Sequence, residues 1–376
     1  MSPPGPREEG AVPAGWGLAG LPRLPPAPFA LLDAARRRAA RASGAAPEAT
    51  PWRVAAALPG ARLRAYQPAG EGRGKPALLI LPAPIKSPRV WDLLAEVSVV
   101  RRCLSGGLRV YLLEWLDPEG EARGFGLADF AERLPLAALD AIAGETGEGA
   151  AVLAGHSLGG TLAAILATLR PERVRALALI DAPLAFGPAR GGPLARAVAA
   201  APPARLLRAL AGEPVPGSFT GLLAAAALPE AFVLQRWGDR AASRGDPLAA
   251  AIHEGVERWV LEELAMPGPL FEEVLERLYR EDRLARGTLT IGGRRTGLAR
   301  LRCPVLALVN PPGLVVPPAS MLEGLAAAPA GPPRRVLRYE GEAGPALQHL
   351  GPLVGPAAHA RLWPEIAAWM AAPALT

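Results

Sequence analysis

From about residue 60 the chain alternates short apolar runs with longer mixed stretches. Ala61–Tyr66 alternates apolar and polar positions, the pattern of a strand at the edge of a sheet. Residues 77–82, 150–155, 174–180 and 304–309 are instead nearly unbroken runs of Leu, Ile, Val and Ala, and 108–114 is mostly apolar around Val110-Tyr-Leu-Leu113. Short runs of this kind predict strands covered on both faces. A last strand is expected at 334–339. Helical segments are expected at about 91–105, 127–143 and 160–169, and a closing helix at 361–370. Strands alternating with helices predict an α/β fold with a mostly parallel central sheet and helices on both faces.

That rhythm breaks once. The runs at 174–180 and 304–309 are about 120 residues apart, too far for a bare loop. Helical patterns at 194–212, 247–264 and 269–285 predict a helical cap inserted over 184–300, between core segments 60–183 and 301–376. Ahead of the core, 1–27 is rich in Pro and Gly and is expected to be disordered, and 28–59 is expected to be helical. The helix at 29–41 carries an arginine-rich face, expected to be solvated.

Composition narrows the options. With 376 residues, half of them hydrophobic, the chain has material for a large core plus an insertion. The net charge of +6 is carried by arginine, since Lys75 and Lys86 are the only lysines. No basic face interleaved with aromatics points to nucleic acid. The N-terminus lacks the apolar stretch of a secretory signal, and the one run near membrane-span length, 149–169, is interrupted by glycine, His156 and Ser157. Cys103 and Cys303 read as buried thiols of a reducing compartment. The expectation is a cytoplasmic protein without a membrane span.

The chemistry concentrates at Gly155-His156-Ser157-Leu158-Gly159. A serine between two glycines, after a buried strand and before a small-residue helix, is the nucleophile-elbow pattern. The tight turn needs small residues two positions either side of the serine. It lifts Oγ clear of the backbone and leaves the Leu158 amide facing a developing oxyanion. The second amide is expected from Pro82-Ala-Pro-Ile-Lys86, where the prolines have no N–H; Ile85 is the choice over Ala83 and Lys86. A general base belongs after the last strand, which points to His349, with His359 the alternative at an exposed helix start. The acid is the difficulty. The loop after 304–309 reads Asn310-Pro-Pro-Gly-Leu-Val-Val-Pro-Pro318 and holds no carboxylate. Asp181, at the end of the preceding strand, is the best substitute, with a turn or helix cap as its competing role. Glu340 and Glu342 are further candidates, and Asn310 is a neutral acceptor for the imidazole. No metal motif, phosphate-cradling loop or dinucleotide fingerprint is present, so neither metal nor cofactor is expected.

The same residues resemble the polyhydroxyalkanoate (PHA) synthases over about 60–360. The likeness lies in Leu78–Lys86, Trp91-Asp-Leu93, Ser98–Arg101, Val110–Trp115, Gly124–Phe130, Ala137–Ile142, Gly159–Leu162, Leu278–Leu284 and Gly287–Arg294. The resemblance implies an α/β-hydrolase fold with a mobile cap, hydroxyacyl ester or thioester substrates such as hydroxyacyl-CoA, and the PHA granule surface as a partner. It also implies a cysteine nucleophile where this chain has Ser157, and an acid where it has Gly313; the family's histidine matches His349. Passing an acyl group from coenzyme A to cysteine exchanges one thioester for another. Loading serine makes an ordinary ester, a downhill step to a less reactive product, and serine needs base activation more than cysteine does. The expected function is therefore a serine acyl hydrolase or acyltransferase. The alternatives are a PHA synthase that works with serine, and a catalytically weak granule-associated binding protein.

Overall fold

The computed structural model describes residues 27–42, 50–67, 74–342 and 349–372. Its centre is an eight-stranded sheet. The strands are β1 (Arg53–Leu58), β2 (Ala61–Ala65), β3 (Ala77–Leu81), β4 (Arg109–Trp115), β5 (Ala151–His156), β6 (Val174–Ile180), β9 (Val305–Val309) and β10 (Arg334–Arg338); β7 (Leu289–Ile291) and β8 (Arg294–Thr296) form a separate hairpin. The sheet order is β1-β2-β4-β3-β5-β6-β9-β10, antiparallel across β1–β2 and β2–β4 and parallel elsewhere.

The unbroken apolar runs have a simple cause. In β3, Leu79 and Leu81 enter one core while Leu78 and Ile80 enter the other, and Val152 and Leu153 of β5 divide in the same way. Both faces are covered, so both sets of alternating positions must be apolar. Helices α3 (Leu134–Thr146) and α4 (Leu158–Leu169) cover the first face, and α2 (Val99–Ser105), α12 (Gly351–Val354) and α14 (Trp363–Ala371) cover the second. A six-residue helix, α13 (Pro356–Arg361), links the last two. Beyond β9, α11 (Pro318–Ala326) leads to β10.

Between β6 and β9 lie α5 (Gly192–Ala200), α6 (Ala204–Ala211), α7 (Gly217–Ala227), α8 (Gln235–Ala242), α9 (Pro247–Val260), α10 (Gly268–Glu273) and the β7–β8 hairpin. No single described helix is long and apolar enough to cross a membrane; the apolar pair 217–227 and 230–242 is bent by 109°.

Four expectations need correction. β2 is not an edge strand: β1 pairs with it antiparallel through the Pro59-Gly60 turn, where Gly60 takes φ +69°. Residues 53–58 are therefore strand, inside a stretch read as helical. The N-terminal helix, α1 (Ala27–Ala42), is anchored as well as solvated. Its Asp33 carboxylate accepts from Gly217 N and Ser218 N, both at 2.9 Å, which satisfies orphan amides at the start of α7. Lastly, His359 is buried: it donates from Nε2 to Leu353 O at 2.7 Å beneath Trp363. The expectation of disorder over 1–27 lies outside the described residues except at Ala27, which begins α1.

Candidate active site

β5 ends at His156, and Ser157 turns the chain into α4 with φ +53° and ψ −134°. A residue with a side chain is strained there, at a cost of about 1–3 kcal/mol, and stays only where its surroundings hold it. They do. Ser157 N donates to Ile180 O at 3.1 Å, while Gly160 N and Thr161 N donate to Ser157 O at 2.9 and 3.2 Å. The glycines are needed for contact as well as for turning. A Cβ on Gly155 would stand 2.5 Å from Gly160 N. One on Gly159 would overlap Leu81 O and stand 2.9 Å from Ala83 N, and one on Gly160 would overlap the Ala182 side chain. The start of α4 thus presses directly on the loop leaving β3. Leu158 is the first residue of α4, so its N–H has no acceptor inside the helix. Ile85 lies in that β3 loop, its carbonyl accepting from Leu264 N at 3.1 Å.

β6 ends one position before Asp181, which also takes a positive φ, +44°. Its amide donates to Leu308 O at 2.9 Å, and its side chain is 1% exposed. His349 Nδ1 lies 2.7 Å from Asp181 Oδ2, and Asn310 Nδ2 donates to the same oxygen at 3.1 Å. Burial raises the Asp181 pKa, and the bonds from His349 and Asn310 oppose that rise. With Nδ1–H given to the carboxylate, His349 keeps its Nε2 lone pair for a proton.

His156 stands directly before the serine in the elbow. The structure brings it against His349. His156 is buried, its ring centroid is 4.4 Å from that of His349, and its Nε2 lies 2.9 Å from His349 O. A carbonyl only accepts, so His156 Nε2 carries the hydrogen. Burial first, and then the neighbouring His349, hold its pKa well below the usual histidine range, so it is neutral at pH 7. The ligating atoms of His156, Asp181 and His349 lie within 4.8 Å of one another, but this cluster is already bonded internally. Only the position of His156, next to the serine at the end of an apolar run, is available in sequence as a signal.

The other acid candidates lie elsewhere. Glu340 is exposed and 3.4 Å from Arg338. Glu342 accepts from the Tyr339 hydroxyl at 2.9 Å and from Ala357 N at 3.0 Å, at the start of α13. At Gly313 there is no room for a side chain, since a Cβ would stand 2.6 Å from Asn310 Nδ2.

One family model, alpha/beta hydrolase fold, matches residues 120–341, which hold the elbow and Asp181. The chain belongs to the alpha/beta hydrolase fold family. Among solved structures, a hydrolase from Pseudomonas aeruginosa PA01 superposes with a TM-score of 0.52 at 20% identity, over 85% of this chain and 98% of that one, a likeness of fold. The chain is also similar to the poly(3-hydroxyalkanoate) polymerase subunit PhaC of Haloferax mediterranei, at 27% identity over 312 residues. That alignment covers 82% of this chain but only 61% of the Haloferax protein. The PhaC subunit of Synechocystis is 28% identical over 263 residues, 68% of this chain and 69% of that protein. The resemblance to PHA synthases read from the motifs thus holds.

Proposed function

We propose that this protein is a serine-dependent acyl hydrolase or acyltransferase of the PHA-synthase-like branch of the fold, acting on hydroxyacyl esters or hydroxyacyl-CoA. The observation that carries the reading is the Asp181–His349 pair, at 2.7 Å, packed through His156 against the elbow of Ser157. In this reading Ser157 Oγ attacks the acyl carbonyl while His349 Nε2 takes its proton. The amides of Leu158 and Ile85 hold the oxyanion, and buried Asp181 stabilises the imidazolium. The imidazolium protonates the departing alkoxide or thiolate, which leaves as alcohol or thiol and leaves an acyl-serine for water or an acceptor hydroxyl. Residues 184–300 act as the cap. Two free, buried cysteines support a cytoplasmic setting. A granule surface is the partner this reading implies, and Leu222, Leu234 and Trp237 (76% exposed), on and beside α7 and α8, are apolar side chains left exposed for it.

The polymerase relatives favour a second reading, a PHA synthase that polymerises 3-hydroxyacyl-CoA from an acyl-serine. Wild type and Ser157→Ala, assayed with short p-nitrophenyl esters and with 3-hydroxybutyryl-CoA, separate the two. Ester turnover and CoA release without polymer, both lost in the variant, are expected. Polymer from the wild type would favour the synthase. Equal, negligible turnover in both proteins would leave the binding-protein reading.

A further inference from the structure

In the loop leaving β3, Pro82 and Pro84 have no amide hydrogen to donate, and the core holds its start through Trp115 Nε1, which donates to Pro82 O at 2.8 Å. The insertion fastens the residues that follow. Lys86 and Glu263 form an isolated antiparallel bridge, flanked by Leu264 N donating to Ile85 O at 3.1 Å and Ser87 N donating to Glu262 O at 3.0 Å. Trp259 Nε1 donates to Ser87 O at 2.7 Å. Side chains repeat the connection. Lys86 Nζ donates to Val260 O at 2.8 Å and to Glu263 Oε1 at 3.2 Å, and lies 5.3 Å from the Trp259 ring. The other oxygen of buried Glu263 takes Arg36 Nη1 of α1 at 2.5 Å. Room for this carboxylate is built into α7. A Cβ on Gly217 would stand 2.5 Å from Glu263 Cβ, and one on Gly221 would overlap Glu263 Oε1.

We infer that Glu263, acting through Lys86, is a positioning residue for the oxyanion hole, so that the insertion as well as the core sets where the Ile85 amide stands. The bridge commits the Ile85 carbonyl and the Ser87 amide to the insertion, and this fixes the orientation of the loop that also touches Gly159. The inference rests on Ile85 as the second oxyanion donor in the function proposed above. Displacement of a catalytic group by about 1 Å costs up to about 100-fold in rate. Loss of Glu263 should act by such a displacement, without touching substrate.

The test compares wild type, Glu263→Ala, Glu263→Gln and Lys86→Met in p-nitrophenyl ester turnover and in inhibition by an aryl trifluoromethyl ketone, which forms a tetrahedral oxyanion on serine. Glu263→Ala and Lys86→Met are expected to lower kcat about 10- to 100-fold with KM nearly unchanged. They should weaken ketone inhibition by the same factor. Glu263→Gln keeps a hydrogen-bond acceptor for Lys86 and should recover most of both. Thermal unfolding is measured alongside. A lowered Tm with wild-type kcat and ketone affinity overturns the positioning role, and so does wild-type behaviour of Lys86→Met if Glu263→Ala does not fold. Absence of Ser157-dependent turnover in the wild type would instead overturn the proposed function, and the inference with it.

Discussion

Asp181 occupies a place where two demands meet: a carboxylate that must stay charged and a site with almost no water. Two hydrogen bonds to one oxygen, from His349 and Asn310, offset the burial. Asp181→Asn removes the charge, and with it the fixed His349 tautomer, so ester turnover should fall by about 10³- to 10⁴-fold while KM changes little. Adding Gly313→Asp to that variant should not restore turnover, because Asn310 occupies the space a side chain there would need. Near-wild-type kcat in Asp181→Asn would remove it from the triad. His156 acts at one remove, holding the His349 carbonyl from a ring that stays neutral. His156→Phe keeps the packing and loses the donor. A fall in kcat of about tenfold is expected, with partial recovery in His156→Gln, which again offers an N–H. If the two variants behave alike, the hydrogen bond is not what matters.

At the scale of elements, the site is assembled from the carboxyl ends of β3, β5, β6 and β9, each bringing one loop to the same end of the sheet. The parallel register makes this automatic: Gly155 pairs with Leu179 and Ile180 with Leu308, so Ser157, Asp181 and Asn310 leave the sheet side by side. Helix α1 is joined to the insertion by fewer, sharper contacts. Asp33 caps α7, and the Phe29 and Phe219 rings meet edge-on at 5.2 Å. Asp33→Ala should cost about 1–2 kcal/mol, read as a lower midpoint in urea, with the elbow chemistry intact. An unchanged midpoint would mean that the α1–α7 contact adds nothing to stability.

For the whole molecule, the buried histidines set an acid limit. Burial pushes His359 down to about 4 from an ordinary 6.5, and His156 is shifted in the same direction. The unfolded chain therefore binds protons that the folded chain refuses. The stability due to neutral His359 is complete above about pH 6.5 and is lost as pH falls toward 4, by about 3 kcal/mol. Urea midpoints at pH 7.5 and 4.5 should differ by less in His359→Gln than in the wild type. Equal differences would show that His359 does not titrate on unfolding.

The sequence by itself determined the sheet and the elbow. Burial on both faces writes continuous apolar runs, and a strained turn writes its glycines; both are local records of a global fold. It also pointed to His349 as the candidate base, with His359 the alternative, and named Asp181 among several candidate acids. What it did not record was β1, whose Arg53–Leu58 run is short and alanine-rich, or the inward turn of His156 and His359. Nor did it decide among Asp181, Glu340 and Glu342, because that choice depends on a contact between residues 168 positions apart. Only the tertiary structure shows which of these carboxylates meets the imidazole of His349: Asp181, at 2.7 Å. Parallel pairing sets the end of β6 beside that of β9, and His349 Nδ1 meets Asp181 Oδ2 there, while α13 takes Glu342 for its own first turn. Pattern reports whether a side chain is buried; which buried group it meets is fixed by how distant segments pack.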